Sequence, residues 1–291
     1  MPAVNDSIAG YQIEVELGTN AWGRAFRARQ VSLDRPVYLT LLPPDFASTN
    51  LARACAGLTH PHLVSGIDFG DSRDGTYLVT EWVEGPTLGD VVHRGGPVAE
   101  ERGLEILRAT SQALDVAARK GIVHGAIDPE SIVITSGGSP KIRGFGPDRD
   151  YATTPEDYRS PELKDGDLTD VRADIYSLGA TMYFALSGRY PFLDAPPPEV
   201  VDGVVHEMPF PLGQANRRLS PEVVTLVDHM MAFSAEDRYP HASDLVRAVN
   251  ETCERLDERI RLQPRVERTG PRRARPASPP RPARPRRRRR R

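Results

Sequence analysis

Through the first 83 residues, short apolar and β-branched runs alternate with Gly, Asp and Pro. Tyr11–Leu17, Ala25–Gln30, Val37–Leu42, Val64–Phe69 and Tyr77–Trp82 each have the length and make-up of a strand. From residue 99 the period changes. Leu104, Leu107, Leu114 and Ala118 share one helical face, and Val223, Leu226, Val227 and Met230 share another. Leu245, Val249, Cys253, Leu256 and Ile260 form a third, on a helix predicted to end near residue 262. Strands first and helices second predict an α+β protein in two lobes. The longest apolar stretch, Ile175 to Leu186, is broken by Ser177, Gly179 and Thr181. It falls short of the roughly 20 residues that span a bilayer and reads as a buried helix. No internal repeat of solenoid length is visible.

Charge divides the chain in a way its net value of −2 conceals. Residues 263–291 hold 13 Arg and one Glu, while residues 1–262 hold 25 basic and 39 acidic residues. The tail is rich in Pro and Arg and nearly free of aliphatic side chains, so it is expected to be disordered. Arg286–Arg291, six consecutive arginines, make it a candidate for nucleic acid or an anionic surface. The acidic body competes for the same tail in cis. Two cysteines, Cys55 and Cys253, give neither a disulfide framework nor zinc spacing. His60, His62, His93, His206, His229 and His241 lack metal spacing too, so no metal is expected. The opening MPAVNDSIAG has no basic region followed by an apolar core, and a reducing cytoplasm is the expected setting.

A series of motifs changes this picture. THPHLVSGIDFG, TYLVTEWVEGPTL, GIVHGAIDPESIVI, YRSPE, DIYSLGATMYFALSGRYPF and SAEDRYPHASDL follow one another at fixed spacing. Together with residues 8–47 they resemble the eukaryotic-like serine/threonine kinases of bacteria, up to about residue 256. The resemblance implies a two-lobed kinase fold: a β-rich N-lobe over 8–83, a helical C-lobe over 84–262, and the tail at 263–291.

The resemblance also assigns positions, and most of those that handle nucleotide and metal carry the wrong residue. Such a kinase needs a glycine-rich loop, a strand lysine paired with a helix glutamate, a catalytic aspartate, and an asparagine and aspartate on magnesium. The loop keeps Gly18 and Gly23 but has Asn20 between them. Thr40 stands for the lysine, and no lysine precedes Lys120. Leu51 stands for the glutamate. In His124-Gly125-Ala126-Ile127-Asp128-Pro129-Glu130-Ser131, Ala126 replaces the catalytic aspartate and Ser131 the asparagine, with Asp128 in place of a lysine. Gly144 of Gly144-Phe145-Gly146 replaces the magnesium aspartate; Asp148 and Asp150 come too late in the chain to substitute.

Tyr38 stands where the family has the alanine that roofs the adenine. If Thr40 faces the cleft, Tyr38 does as well, because residues two apart on a strand share a face. Its ring is then expected to fill adenine space near Val133, with Thr80 at a neighbouring cleft position. The packing positions survive: Cys55, His124 and Phe145 in a core column, Asp174 anchoring it, and Glu162 with Arg238 as the ion pair that locks the activation segment. Thr153 and Thr154 fall in that segment.

These substitutions give the expectation of a pseudokinase and not an enzyme, serving as a scaffold or allosteric partner of another protein, such as an active kinase. No cofactor is expected, with weak metal-independent ATP binding left open. The alternatives are an atypical kinase with relocated groups, Arg24 or Arg27 in place of the lysine and Asp128 as base, and polyanion binding through the tail.

Overall fold

The computed structural model describes residues 3–20, 23–43, 49–145, 155–165, 170–196, 199–201, 204–206 and 208–262. Six strands form the first sheet: β1 (Ser7–Ile8), β2 (Tyr11–Asn20), β3 (Gly23–Gln30), β4 (Arg35–Leu41), β5 (Gly66–Ser72) and β6 (Gly75–Glu81). Their order is β1-β2-β3-β4-β6-β5, each neighbouring pair antiparallel. Strand alternation sorts the side chains. Phe26 and Ala28 of β3, Val37 and Leu39 of β4 and Val79 of β6 turn to one face and are wholly buried with Ile8, Tyr11 and Ile13. Arg27, Tyr38 and Thr80 lie on the other face, adjacent in register: Arg27 opposite Tyr38, Tyr38 opposite Thr80. Ala25, Thr40 and Leu78 make the next rung of that face. Helix α1 (Thr49–Ala56) packs on β5 and β6.

The second lobe holds α2 (Leu88–Gly95), α3 (Glu100–Ala118), the hairpin of β7 (Ile132–Ile134) and β8 (Pro140–Ile142), α4 (Pro161–Asp165) and α5 (Val171–Ser187). A short hairpin of β9 (Glu199–Val201) and β10 (Val204–His206) follows, then α6 (Leu212–Ala215), α7 (Pro221–Met230) and α8 (Ala242–Leu262). Helix α5 is the centre of this lobe, with every residue from Ala173 to Ser187 buried. The polar breaks at Ser177, Gly179 and Thr181 are thus positions in a buried helix. Gly179 lets α5 approach α7, since a Cβ there would lie 2.9 Å from the side chains of Met230 and Met231. Asp170 caps the helix at one end by accepting from the Arg172 N–H. Gly188, at φ 71°, closes the other.

The lobes are joined by backbone as well as by chain. The His62 carbonyl accepts from Ile142 N–H, and the Ile142 carbonyl accepts from Val64 N–H, both at 2.9 Å. The segment before β5 therefore docks beside β8. The basic tail, Thr153, Thr154, Asp148 and Asp150 lie outside the described residues.

Candidate functional site

The cleft is best built from its packing residues upward. The Phe145 ring meets the His124 imidazole edge-on, with centroids 4.6 Å apart, in the same core that holds the buried Cys55. Asp174, with no exposed surface, accepts from the backbone N–H of His124 and of Gly125, each at 2.5 Å. Two N–H donors satisfy a carboxylate that burial would otherwise make costly. One α5 side chain thus fixes the loop that follows residue 122. The His124 ring nitrogen Nε2 lies 2.8 Å from the Arg143 carbonyl and ties the same loop to the strand end before Gly144.

Below it, Arg238 grips Glu162 through two parallel hydrogen bonds of 2.7 and 2.9 Å. The Arg238 side chain is fully buried, and it also donates to the carbonyls of Ala232, Arg172 and Phe233. Its guanidinium lies 4.8 Å from the centre of the Tyr176 ring. Burial, the largest single cause, pushes the Glu162 pKa up, but the Arg238 hydrogen bonds, the Glu162 backbone N–H and the Arg238 charge together outweigh it, and the net shift is downward. The positions read as packing residues therefore make packed and paired contacts.

The nucleotide positions are arranged differently. Thr40 is buried on the face opposite the N-lobe core, and Tyr38 shares that face. The Tyr38 ring, half-buried, stacks on Trp82 with centroids 6.4 Å apart and planes 21° from parallel. Trp82 follows directly on β6, where the chain passes between the lobes. The Arg27 guanidinium sits over the same indole at 5.1 Å, and its Nε lies 3.2 Å from Glu14. Tyr38 thus ties the sheet to the inter-lobe segment. Val133, expected beside it, is buried in the β7–β8 hairpin and bridges to Thr87. Leu51 falls within α1.

The glycine loop closes as a hairpin, with Asn20 paired to Gly23. Gly18 and Gly23 take φ of 108° and 131°, and a Cβ on Gly23 would run into the Leu41 carbonyl. Glycine is required at both by backbone conformation, whatever the loop binds. Gly144 has φ 94°. Glycine relieves the strain an aspartate would carry there and removes the carboxylate.

Asp128 is committed to its own turn. Its carboxylate accepts from Ser131 N–H at 2.8 Å, and Ser131 Oγ accepts from Asp128 N–H at 3.0 Å. This capping box closes the turn Pro129–Ser131. Burial raises the Asp128 pKa, the Ser131 N–H opposes this, and the net shift is upward. Ser131 is likewise held, donating to the Asp128 carbonyl at 2.6 Å. Among the described residues no cluster of His, Cys, Asp or Glu has the arrangement of a metal site.

Sequence reasoning missed Trp82, considered Arg27 only as a stand-in for the lysine, and missed the ion pair of Lys141 with Glu81 at 2.5 Å. Glu81 also accepts from Ser65 N–H, and Lys141 donates to the Leu63 carbonyl. These contacts join the end of β6 to β8. Trp82 could have been found from its place in TEWVEG, since a tryptophan beside the cleft needs a partner. Lys141 and Glu81 are 60 residues apart and carry no local signal.

Residues 11–248 match the family model for the protein kinase domain. The serine/threonine-protein kinase PknB of Mycolicibacterium smegmatis is 31% identical over 259 residues, covering 81% of this chain and 41% of the relative. PknB of Mycobacterium tuberculosis is 31% identical over 268 residues, covering 82% and 43%. A probable serine/threonine-protein kinase of Streptomyces coelicolor, SCO3848, is 30% identical over 267 residues, covering 84% and 40%. The chain thus spans about two fifths of the length of these relatives. The structure of Rad53 1-466 in complex with AMP-PNP superposes with a TM-score of 0.69 over 84% of this chain and 66% of that one, at 21% identity, which supports the two-lobed fold. The expectation that the chain is not an enzyme is overturned here. Relatives at about 31% identity are named serine/threonine-protein kinases, and the kinase domain match is nearly complete, which points to an enzyme.

Proposed function

Because the chain belongs to the protein kinase family, with bacterial serine/threonine kinases as relatives, we propose that it works as an allosteric or scaffolding member, its two-lobed body docking a partner protein such as an active kinase. The observation that carries this is a contrast within one cleft. The His124, Phe145, Asp174, Glu162 and Arg238 contacts are complete, while the nucleotide face carries Tyr38 stacked on Trp82 and a buried Thr40. A fold held in a fixed shape suits recognition. Any phosphoryl transfer by this chain has to run without a lysine at 40 or a carboxylate at 126 or 144.

A second reading is favoured by the family and by Asp128. In it the chain is an atypical serine/threonine kinase with weak ATP binding and Asp128 as base. A half-buried carboxyl with a raised pKa is nearer to what a general base needs than an exposed one. The capping box would have to open first.

The test pairs two measurements. Increasing amounts of the chain are added to an active serine/threonine kinase domain from the same organism, and that domain's autophosphorylation rate is followed. The chain's own transfer from radiolabelled ATP is measured beside it, with Asp128→Asn as comparison. A saturable change in the partner's rate supports the first reading. No change, together with transfer by the chain that Asp128→Asn abolishes, replaces it with the second.

A further inference from the structure

We propose that the depression between α3 and the β7–β8 hairpin is a binding site for a phosphoryl group. It stands behind the cleft, uses none of the residues assigned above, and does not rest on the proposed function. Its volume is about 280 Å³, just below the roughly 300–1,000 Å³ of sites that enclose a drug-sized molecule. That suits one anionic group better than a whole nucleotide.

The walls come from three places. Arg102, Glu105, Arg108 and Gln112 recur at three- and four-residue spacing and form one stripe of α3. The turn Gly137-Gly138-Ser139 faces that stripe, and His62 closes the end. Arg102 holds the turn against the helix. It donates to the Gly138 carbonyl and to Glu105, the latter at 2.9 Å. Its charge is therefore largely spent on Glu105, the one acid in the lining.

Arg108 and Gln112 are not spent. Neither side chain makes a hydrogen bond or ion pair with another described residue, and Arg108 is exposed while Gln112 is half-buried. His62 Nδ1 lies 2.9 Å from the Pro140 carbonyl. A carbonyl only accepts, so Nδ1 carries the proton; in the neutral ring Nε2 is an acceptor, which pairs with a P–OH and not with an ionised phosphate oxygen. Ser139 Oγ stands 3.4 Å from the same ring. The depression thus offers three donors, a free guanidinium, an amide N–H₂ and a hydroxyl, beside an imidazole held in place by the Pro140 carbonyl. Planar guanidinium forks and hydroxyl donors are the groups that recognise phosphate oxygens.

Two sources share this chemistry: a free phosphate monoester, and a phosphorylated side chain of a protein. The experiment titrates full-length chain with acetyl-phosphoserine amide, a phosphothreonine peptide and its unphosphorylated form, at constant ionic strength. The His62 ring resonances are read by NMR, which separates this site from the cleft. Saturable shifts with the two phosphorylated probes are expected, and the tighter probe identifies the source. Arg108→Gln removes the unpaired cation without removing a contact of the fold, and should weaken binding about tenfold, the loss of one charge-assisted hydrogen bond. Arg247→Gln, on α8 and outside the lining of the depression, should leave binding unchanged. Absence of saturable shifts, equal binding of the unphosphorylated peptide, or indifference to Arg108→Gln would overturn the proposal.

Discussion

Replacing Arg238 by Met isolates the electrostatic part of the lower-lobe lock, because methionine keeps most of the length and removes the charge. Arg238 has no exposed side-chain surface, and Glu162 keeps one fifth of its own. Removing one member of such a pair leaves the other buried and unpaired, at a cost of about 3–5 kcal/mol. Three carbonyls, of Ala232, Arg172 and Phe233, also lose their donor, while the partial exposure of Glu162 softens the penalty. A loss of about 4 kcal/mol at pH 7 is expected. That is a large part of the roughly 5–15 kcal/mol total of a folded domain.

Acid should change the two proteins in opposite senses. In the native protein the Glu162 pKa is depressed. Its contribution is present above the unfolded value and is lost as pH falls through the folded one. In Arg238→Met both Arg238 contributions are lost while burial, the largest cause, still raises that pKa against the remaining backbone hydrogen bond, so the pKa climbs and protonation relieves the variant. The gap between the two should therefore shrink from pH 7 to pH 4. Urea unfolding across that range measures it, with Arg247→Met, an exposed pair, as a control expected within about 0.5 kcal/mol. A gap under 1 kcal/mol at pH 7, or one that stays constant with pH, would refute the reasoning.

Tyr38→Ala should cost about 1–2 kcal/mol in urea unfolding, below the roughly 3–5 kcal/mol of a fully buried aromatic because the ring is half exposed; it should also open room for a purine, measurable as new adenosine binding by calorimetry. Asp128→Ala should lower stability by about 1 kcal/mol, the usual value of an N-cap; an unchanged midpoint would mean the capping box is idle. Truncation after Gln263 should abolish salt-sensitive binding to duplex DNA, RNA and anionic vesicles if the tail is the polyanion site. Equal binding by the truncated chain removes that idea, and binding by the isolated tail alone means the acidic body holds it in cis.

The strand and helix periods were legible where an element has one face more buried than the other, as β3 and α8 do. Phe26 and Ala28 alternate with the half-buried Arg27 and Arg29, and the α8 stripe runs from Leu245 to Leu256 as read. The strand edges shifted: β2 continues past Leu17 to Asn20, because the glycine loop pairs as a hairpin. Strand β1 and the β9–β10 hairpin have only two or three residues each, too few for a period to show. At the site, motif spacing singled out Asp174, Arg238 and Tyr38, each of which makes a specific side-chain contact in the fold. It could not supply partners contributed from far away, such as Trp82 for Tyr38 or Glu81 for Lys141, since side-chain pairing across the lobes depends on the folded register.

The most direct test of the central claim is the melting temperature of the full chain with millimolar ATP, with magnesium and with chelator. A ligand at 100 times its Kd stabilises by about 2.7 kcal/mol, easily seen in such a scan. With Thr40 and Gly144 where metal-bound nucleotide would need charge, and Tyr38 stacked on Trp82, the account predicts the same midpoint in both conditions. A rise in midpoint that requires both ATP and magnesium would contradict it.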